Sequence, residues 1–155
     1  MINANLVIKN PNFIDDVKTS FQQQGILKLL GAKLEKIEPG LVEISLPFKP
    51  ELTQHTGFFH AGVTATIADT AGGYAAFTLF PAQAIVLSVE FKINLLNPAQ
   101  GQLLYAIGRV IKSGKTLSVC EVSVSVTDRT KTLVCAHMLQ TVMCLPPKTM
   151  DKTVK

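Results

Sequence analysis

The feature that most constrains this chain is an almost wholly apolar or small run, Ala61 to Leu79, with one acid inside it. The run lacks Pro and is long enough for about five helical turns. Between Leu52 and Val89 the only acidic residue is Asp69, and no Lys or Arg occurs there. A lone carboxylate in a buried helix is costly unless it is paired or neutral. Asp69 is therefore a structural hydrogen-bonding acid or a functional one.

The segments on either side set what surrounds that helix. Asn10–Pro11 reads as a helix start, an Asn cap followed by Pro at the first helical position. Asp15 and Asp16 follow in the early turns, where the macrodipole favours acids. Phe13, Val17 and Phe21 give one apolar face, Gly25 ends the helix, and a short turn over Ile26–Leu30 stops at Gly31. Ala32–Ile37 and Leu41–Leu46 read as strands joined by the turn Glu38-Pro39-Gly40. In the second, Val42, Ile44 and Leu46 alternate with Glu43 and Ser45, which predicts one wet face. After an irregular loop, Glu51–Phe59, and the long helix come four more strands: Ala84–Leu96, Leu103–Ile111, Thr116–Thr127 and Leu133–Leu145. Short links predict hairpins and a largely antiparallel sheet. One long apolar helix is available to cover one sheet face, so the expected class is α+β, with the sheet wrapped around the helix. The expected organisation is a single domain over 1–155, with 1–31 as a helical flank and 146–155 as a mobile tail.

Composition narrows the function. The net charge is +4, with basic residues spread along the chain and no interleaved aromatics, which argues against nucleic acid. The long apolar run is interrupted by Thr64, Thr66, Asp69, Thr70 and Gly72–Gly73, so no membrane span is expected. The first residues, MINANLVIKNPN, lack the pattern of a secretory signal. Cys120, Cys135 and Cys144 are odd in number, lack metal-ligand spacing and sit in strand-like context. They read as small core residues of a protein in a reducing compartment, the cytoplasm. No nucleotide-binding glycine pattern, HExxH or paired-Cys motif is present, so neither a cofactor nor a metal is expected.

Two stretches carry a resemblance. Gln54-His55-Thr56-Gly57-Phe58-Phe59-His60-Ala61-Gly62, followed by Ala68-Asp69-Thr70-Ala71-Gly72-Gly73-Tyr74-Ala75, resembles the signature of hotdog-fold acyl-CoA thioesterases of the PaaI type. The segments Ser88–Pro98 and Gly108–Thr116 resemble the parts that follow in that family, and the match runs from about Gly25 to Leu145. The resemblance implies hydrolysis of acyl-CoA thioesters. Asp69 would be the general base or nucleophile, and the backbone N–H of Ala61 would form part of the oxyanion hole. Ser88 would orient the water or the acid, and Gln54 stands where many members carry Asn. Arg109, Lys112 and Lys115, around the turn at Gly114, would meet CoA phosphates, to which charge-assisted bonds suit Arg and Lys. Lys112–Lys115 reads equally as a plain hairpin turn.

The residues themselves support such chemistry. A helix N-terminus offers free N–H groups and a positive dipole end, here at His60–Gly62. Gly62 lets a ligand approach the backbone. His60 could donate to a substrate carbonyl or cap the helix; His55 reads as a loop residue and His137 as structural or exposed. Asp69 lies roughly 13 Å along the helix from His60, at about 1.5 Å per residue. One helix cannot easily bring its own start and its own Asp69 to one carbonyl. The expectation is a composite site in an obligate homodimer, or in a dimer of dimers. Phe58, Phe59, Tyr74 and Phe77 are candidates for an acyl pocket or for plain core. Gly72–Gly73 reads as a close helix crossing. The alternatives are a non-catalytic acyl-CoA-binding protein on the same fold and a dehydratase-type hotdog enzyme, which would place a catalytic His on the central helix.

Overall fold

The computed structural model describes residues 6–129 and 131–146. All of the expected tail except Pro146 lies outside the described residues. Helix α1 (Phe13–Gln23) and helix α2 (Gly25–Leu30) lead into strands β1 (Lys33–Glu38) and β2 (Leu41–Pro47). The long helix α3 (Ala61–Phe77) follows, and then β3 (Ile85–Leu95), β4 (Leu103–Ser113), β5 (Leu117–Asp128) and β6 (Lys131–Leu145). The strands form one antiparallel sheet in the order β1-β2-β4-β5-β6-β3, packed on α3. This is the expected α+β hotdog arrangement, a sheet wrapped around one central helix.

The sheet is built by period-two alternation. In β5, Ser118, Cys120, Val122, Val124 and Val126 are buried and their neighbours are more exposed. In β6, Ala136, Met138, Gln140, Val142 and Cys144 form the inward row. Ile44, Leu46, Leu104, Ala106 and Ile67 complete the core, each at or near zero exposure. A fully buried Leu or Ile contributes about 1.5–3 kcal/mol relative to leaving it in water. The three cysteines are free and buried, as expected, and burial pushes the Cys120 thiol up to about 12.

Two small residues let helix and sheet come together. A Cβ on Gly108 of β4 would collide with the carbonyl of Ala71 and lie 2.7 Å from the Gly72 nitrogen. A Cβ on Gly72 would collide with the Gln140 side-chain carbonyl and lie 2.9 Å from Val122 Cγ2. The close crossing expected at Gly72–Gly73 is therefore made by Gly72. Gly73 has open space, with Val86 Cγ2 nearest at 4.0 Å.

Several expectations need correction. Helix α1 begins at Phe13 rather than at Pro11. The Asn10 side chain accepts from the Asn12 N–H (3.0 Å) and donates to Asp16 (2.7 Å), so it closes a turn before the helix instead of capping it. Gly25 opens α2 rather than ending α1; the break falls on Gln24, in extended conformation. Gly31 does end α2, at φ 82°. The outer face of β2 is less wet than its alternation suggests. Ser45 is buried and donates to Glu35 of β1 (2.5 Å), while Glu43 accepts from the Tyr105 hydroxyl (2.5 Å).

The largest departure is β3. The short links predict a hairpin between β3 and β4, yet β3 lies at the sheet edge beside β6. The link 96–102 instead runs past the loop before α3, where the Ala99 carbonyl accepts from the Phe59 N–H (3.0 Å). Ile85, Leu87, Val89, Phe91 and Leu95 of β3 are 44–57% exposed. No described helix is long and apolar enough to cross a membrane.

Candidate active site

Asp69 sits halfway along α3 on the flank that faces β3, half-buried rather than enclosed. The Ser88 hydroxyl donates to Asp69 Oδ1 at 2.6 Å. Gln140 Nε2 donates to the same oxygen at 2.5 Å, to Ser88 Oγ at 3.1 Å and to the Asp69 backbone carbonyl at 3.2 Å. Both side-chain donors therefore converge on Oδ1, and Oδ2 takes no hydrogen bond among the described residues.

Three elements meet here for local reasons. The inward row of β6 aims Gln140 at the helix. A register shift between Ser88 and Glu90 puts an extra residue into β3 beside Ser88, and such bulges re-aim side chains. The absent Cβ of Gly72 leaves room for the Gln140 amide. A small, mostly polar cavity of about 120 Å³ opens beside the acid, lined by Gln24, Asp69, Thr70, Gly73, Tyr74, Val86 and Ser88. The Tyr74 hydroxyl accepts from Gln24 Nε2 (2.7 Å) and pairs with Ser20 Oγ (3.0 Å), which ties the α1–α2 flank to this cavity. Burial raises the Tyr74 pKa, offset in part by the hydrogen bonds from Ser20 and Gln24.

The helix start forms a separate place. A cavity of about 370 Å³ is lined there by Gln54, Phe58, Phe59, Ala61, Thr64 and the segment 95–99 with Cys135. His60 is the N-cap: its Nδ1 accepts from the Gly62 N–H at 2.9 Å. A Cβ on Gly62 would stand 3.0 Å from that nitrogen, so this glycine serves the cap. With Gly62 engaged and the next two N–H groups bonded to the His60 carbonyl, the Ala61 N–H has no partner among the described residues. Gln54 folds its amide onto Thr56, accepting from that backbone N–H (2.5 Å), and so shapes the loop at Gly57, φ 85°.

Asp69 and Ser88 are brought together, and Gln54, Phe59 and Ala61 gather at the other cavity. The two groups do not share a cavity within one chain. Phe59 is also core, edge-on to Phe48 at 5.5 Å. Phe77 packs between Tyr74 and Phe80. Arg109, Lys112, Gly114 and Lys115 line neither cavity. Arg109 belongs to the outward row of β4, and a Cβ on Gly114 would collide with the Leu117 carbonyl, as a tight turn requires. His137 is exposed, with Nε2 4.0 Å from Glu121. Gln140 went unread in the sequence. Its signal was one polar residue in the inward register of β6, among Ala136, Met138, Val142 and Cys144.

Comparison with known proteins gives the family. The family model described as "Thioesterase superfamily" matches residues 56–133, which include Ala61, Asp69 and Ser88. A thioesterase family protein from Silicibacter pomeroyi of known structure is 40% identical, with a TM-score of 0.85 over 86% of this chain and 98% of its own. A candidate esterase of Halobacterium salinarum is 33% identical over 70% of this chain and 74% of its own length. A 1,4-dihydroxy-2-naphthoyl-CoA hydrolase of Listeria monocytogenes is 28% identical over 72% of this chain and 89% of its own. By the matched family model, the fold and these relatives, this chain belongs to the thioesterase superfamily and is a hotdog-fold thioester hydrolase.

Proposed function

We propose that the thioester is an acyl-CoA and that Asp69 performs the hydrolysis in a site completed by a second copy of the chain. The observation that carries this reading is the anchoring of Asp69, an acid that lines a cavity, by one oxygen, with Oδ2 free of hydrogen bonds among the described residues. As a general base, Oδ2 takes a proton from water while the water oxygen bonds to the thioester carbon. As a nucleophile, Oδ2 would attack that carbon itself, and the mixed anhydride left when the thiolate departs would then be hydrolysed by water to the free acid and the Asp69 carboxylate. In either case charge collects on the carbonyl oxygen, and the unpartnered Ala61 N–H at the positive end of α3 is the donor suited to it. The C–S bond then breaks, and CoA leaves as a thiolate that takes up a proton.

Distance and surface support the second copy. Asp69 and the helix start stand on different cavities, so one carbonyl can meet both only across an interface. The free edge of β3, with its exposed apolar row, is a surface that another chain would cover. The named activity of the Listeria relative supports CoA as the leaving thiol. Arg109, Lys112 and Lys115 supply positive charge for its phosphates.

The test is thiol release from short, medium, long and aryl acyl-CoAs by wild type and Asp69→Asn. Loss of a base of this kind costs about 10²–10⁴-fold. Retained turnover in a folded Asp69→Asn protein would remove Asp69 from its role, and an active monomer on sizing would remove the composite site.

A further inference from the structure

We infer that Gln140 is a positioning residue that fixes which oxygen of Asp69 works and where the Ser88 proton points. The inference rests on the reading of Asp69 given above. Gln140 is fully buried, and every hydrogen bond of its amide nitrogen goes to Asp69 or to Ser88. Its carbonyl oxygen, Oε1, is buried without a partner among the described residues. The amide orientation is settled by chemistry. Turning Oε1 toward the carboxylate would set acceptor against acceptor.

A residue kept only for packing would not look like this. An apolar side chain of similar length would fill the inward row of β6 without leaving a polar atom unsatisfied. The chain instead retains the orphaned carbonyl, and it places Gly72 where any Cβ would collide with that carbonyl. Both costs serve one end of one amide, and that end is spent wholly on the site.

The geometry assigns two effects. First, Ser88 and Gln140 both donate to Oδ1, so rotating the carboxylate breaks two bonds at once and Oδ2 stays presented. Second, a serine hydroxyl alone can turn its proton elsewhere. Here Gln140 Nε2 occupies an acceptor site on Ser88 Oγ, which directs the Ser88 proton to Oδ1.

The experiment measures kcat and KM for thiol release with Gln140→Met and Gln140→Leu, beside Asp69→Asn. Misplacing a reacting group by about 1 Å costs on the order of 100-fold, so kcat should fall about 10- to 100-fold. KM should stay within about twofold, because Gln140 acts on the acid and not on the substrate. Melting temperature should change little, because relief of the orphaned carbonyl offsets the lost bonds to Asp69. Gln140→Asn offers a second route if both variants misfold, since it keeps the amide but shortens its reach to Asp69, and it too should lower kcat. A folded Gln140→Met or Gln140→Leu enzyme with wild-type kcat overturns the inference, as does a loss confined to KM. If Asp69→Asn is inactive while the Gln140 variants keep full rate, only the positioning role falls. If Asp69→Asn keeps its turnover, the reading of Asp69 falls and this role falls with it.

Discussion

Ser88→Ala isolates a single hydrogen bond at the acid. It removes the 2.6 Å donor to Asp69 Oδ1 and the hydroxyl that accepts from Gln140 at 3.1 Å. Gln140 still holds Oδ1 and the Asp69 carbonyl, so the carboxylate loses one of two side-chain anchors. A hydrogen bond to a charged group contributes about 1.5–3 kcal/mol net. Ser88 is exposed in the single chain, which places it at the lower end of that range. At about 1.4 kcal/mol per tenfold, kcat/KM should fall roughly tenfold, well short of the Asp69→Asn loss. Stability should fall by no more than about 1.5 kcal/mol, the value of that one bond at an exposed position. The assay is thiol release followed with a thiol-reactive dye, with kcat and KM resolved. The three native cysteines are buried, so the enzyme should consume little dye before denaturation. Full activity in Ser88→Ala, or a loss expressed only in KM, would refute the claim that Ser88 works through Asp69.

Gly108→Ala should destabilise the protein by about 3 kcal/mol, because its methyl meets backbone atoms of Ala71 and Gly72 that cannot rotate away. At about 2–4 °C per kcal/mol, calorimetry should show a drop of roughly 6–12 °C, and an unchanged melting temperature would contradict the packing described. Gly73→Ala should do the reverse, since its methyl meets only Val86 Cγ2 at 4.0 Å and Ala is favoured over Gly in a helix by about 1 kcal/mol. Gly73 also lines the cavity beside Asp69; if the acyl group of the proposed reaction enters there, the same methyl should slow bulky acyl groups more than small ones. Burial raises the Cys120 thiol from 9.0 to about 12, so the native state holds its proton where the unfolded chain releases it. Stability from this group is complete below pH 9 and drains away between pH 9 and 12, about 1.4 kcal/mol being lost by pH 10. Denaturant titrations at pH 8 and 10 should show at least that loss, since burial raises the Cys135 and Cys144 thiols as well, and Cys120→Ala should make the slope shallower.

The central helix was legible because nothing competes with it. Ala61–Phe77 is apolar, free of Pro and interrupted by a single acid. The alternation in β5 is equally plain. The placement of β3 was not, because strand composition reports burial and not what does the burying. Ile85, Leu87, Val89 and Phe91 are apolar, yet within one chain they lie open at an edge. The start of α1 was misread because Asn caps helices and closes turns with the same side-chain oxygen. Asp69 announced itself as a charge among apolar residues. Gln140 did not, since a neutral amide in a fifteen-residue strand stands out only once the inward register is known. The split between the acid and the helix start followed from helical rise alone. The use of Gly62 by the His60 cap needed coordinates.

Gly108 touches neither cavity, but its missing methyl decides how deeply α3 is seated. Asp69 stands two residues before Ala71 on the same rigid rod, and Ser88 stands on the sheet. Lifting the rod at Gly108 would move Asp69 relative to Ser88 and strain the 2.6 Å bond between them. The chain thus separates two kinds of position. Residues such as Gly73 can drift and retune what the cavity admits while the acid keeps its place. Gly108 and Gly72 cannot drift, since they set the datum from which every distance at the acid is measured. New acyl preferences should therefore be sought by changing the cavity wall while leaving the seat of the helix alone.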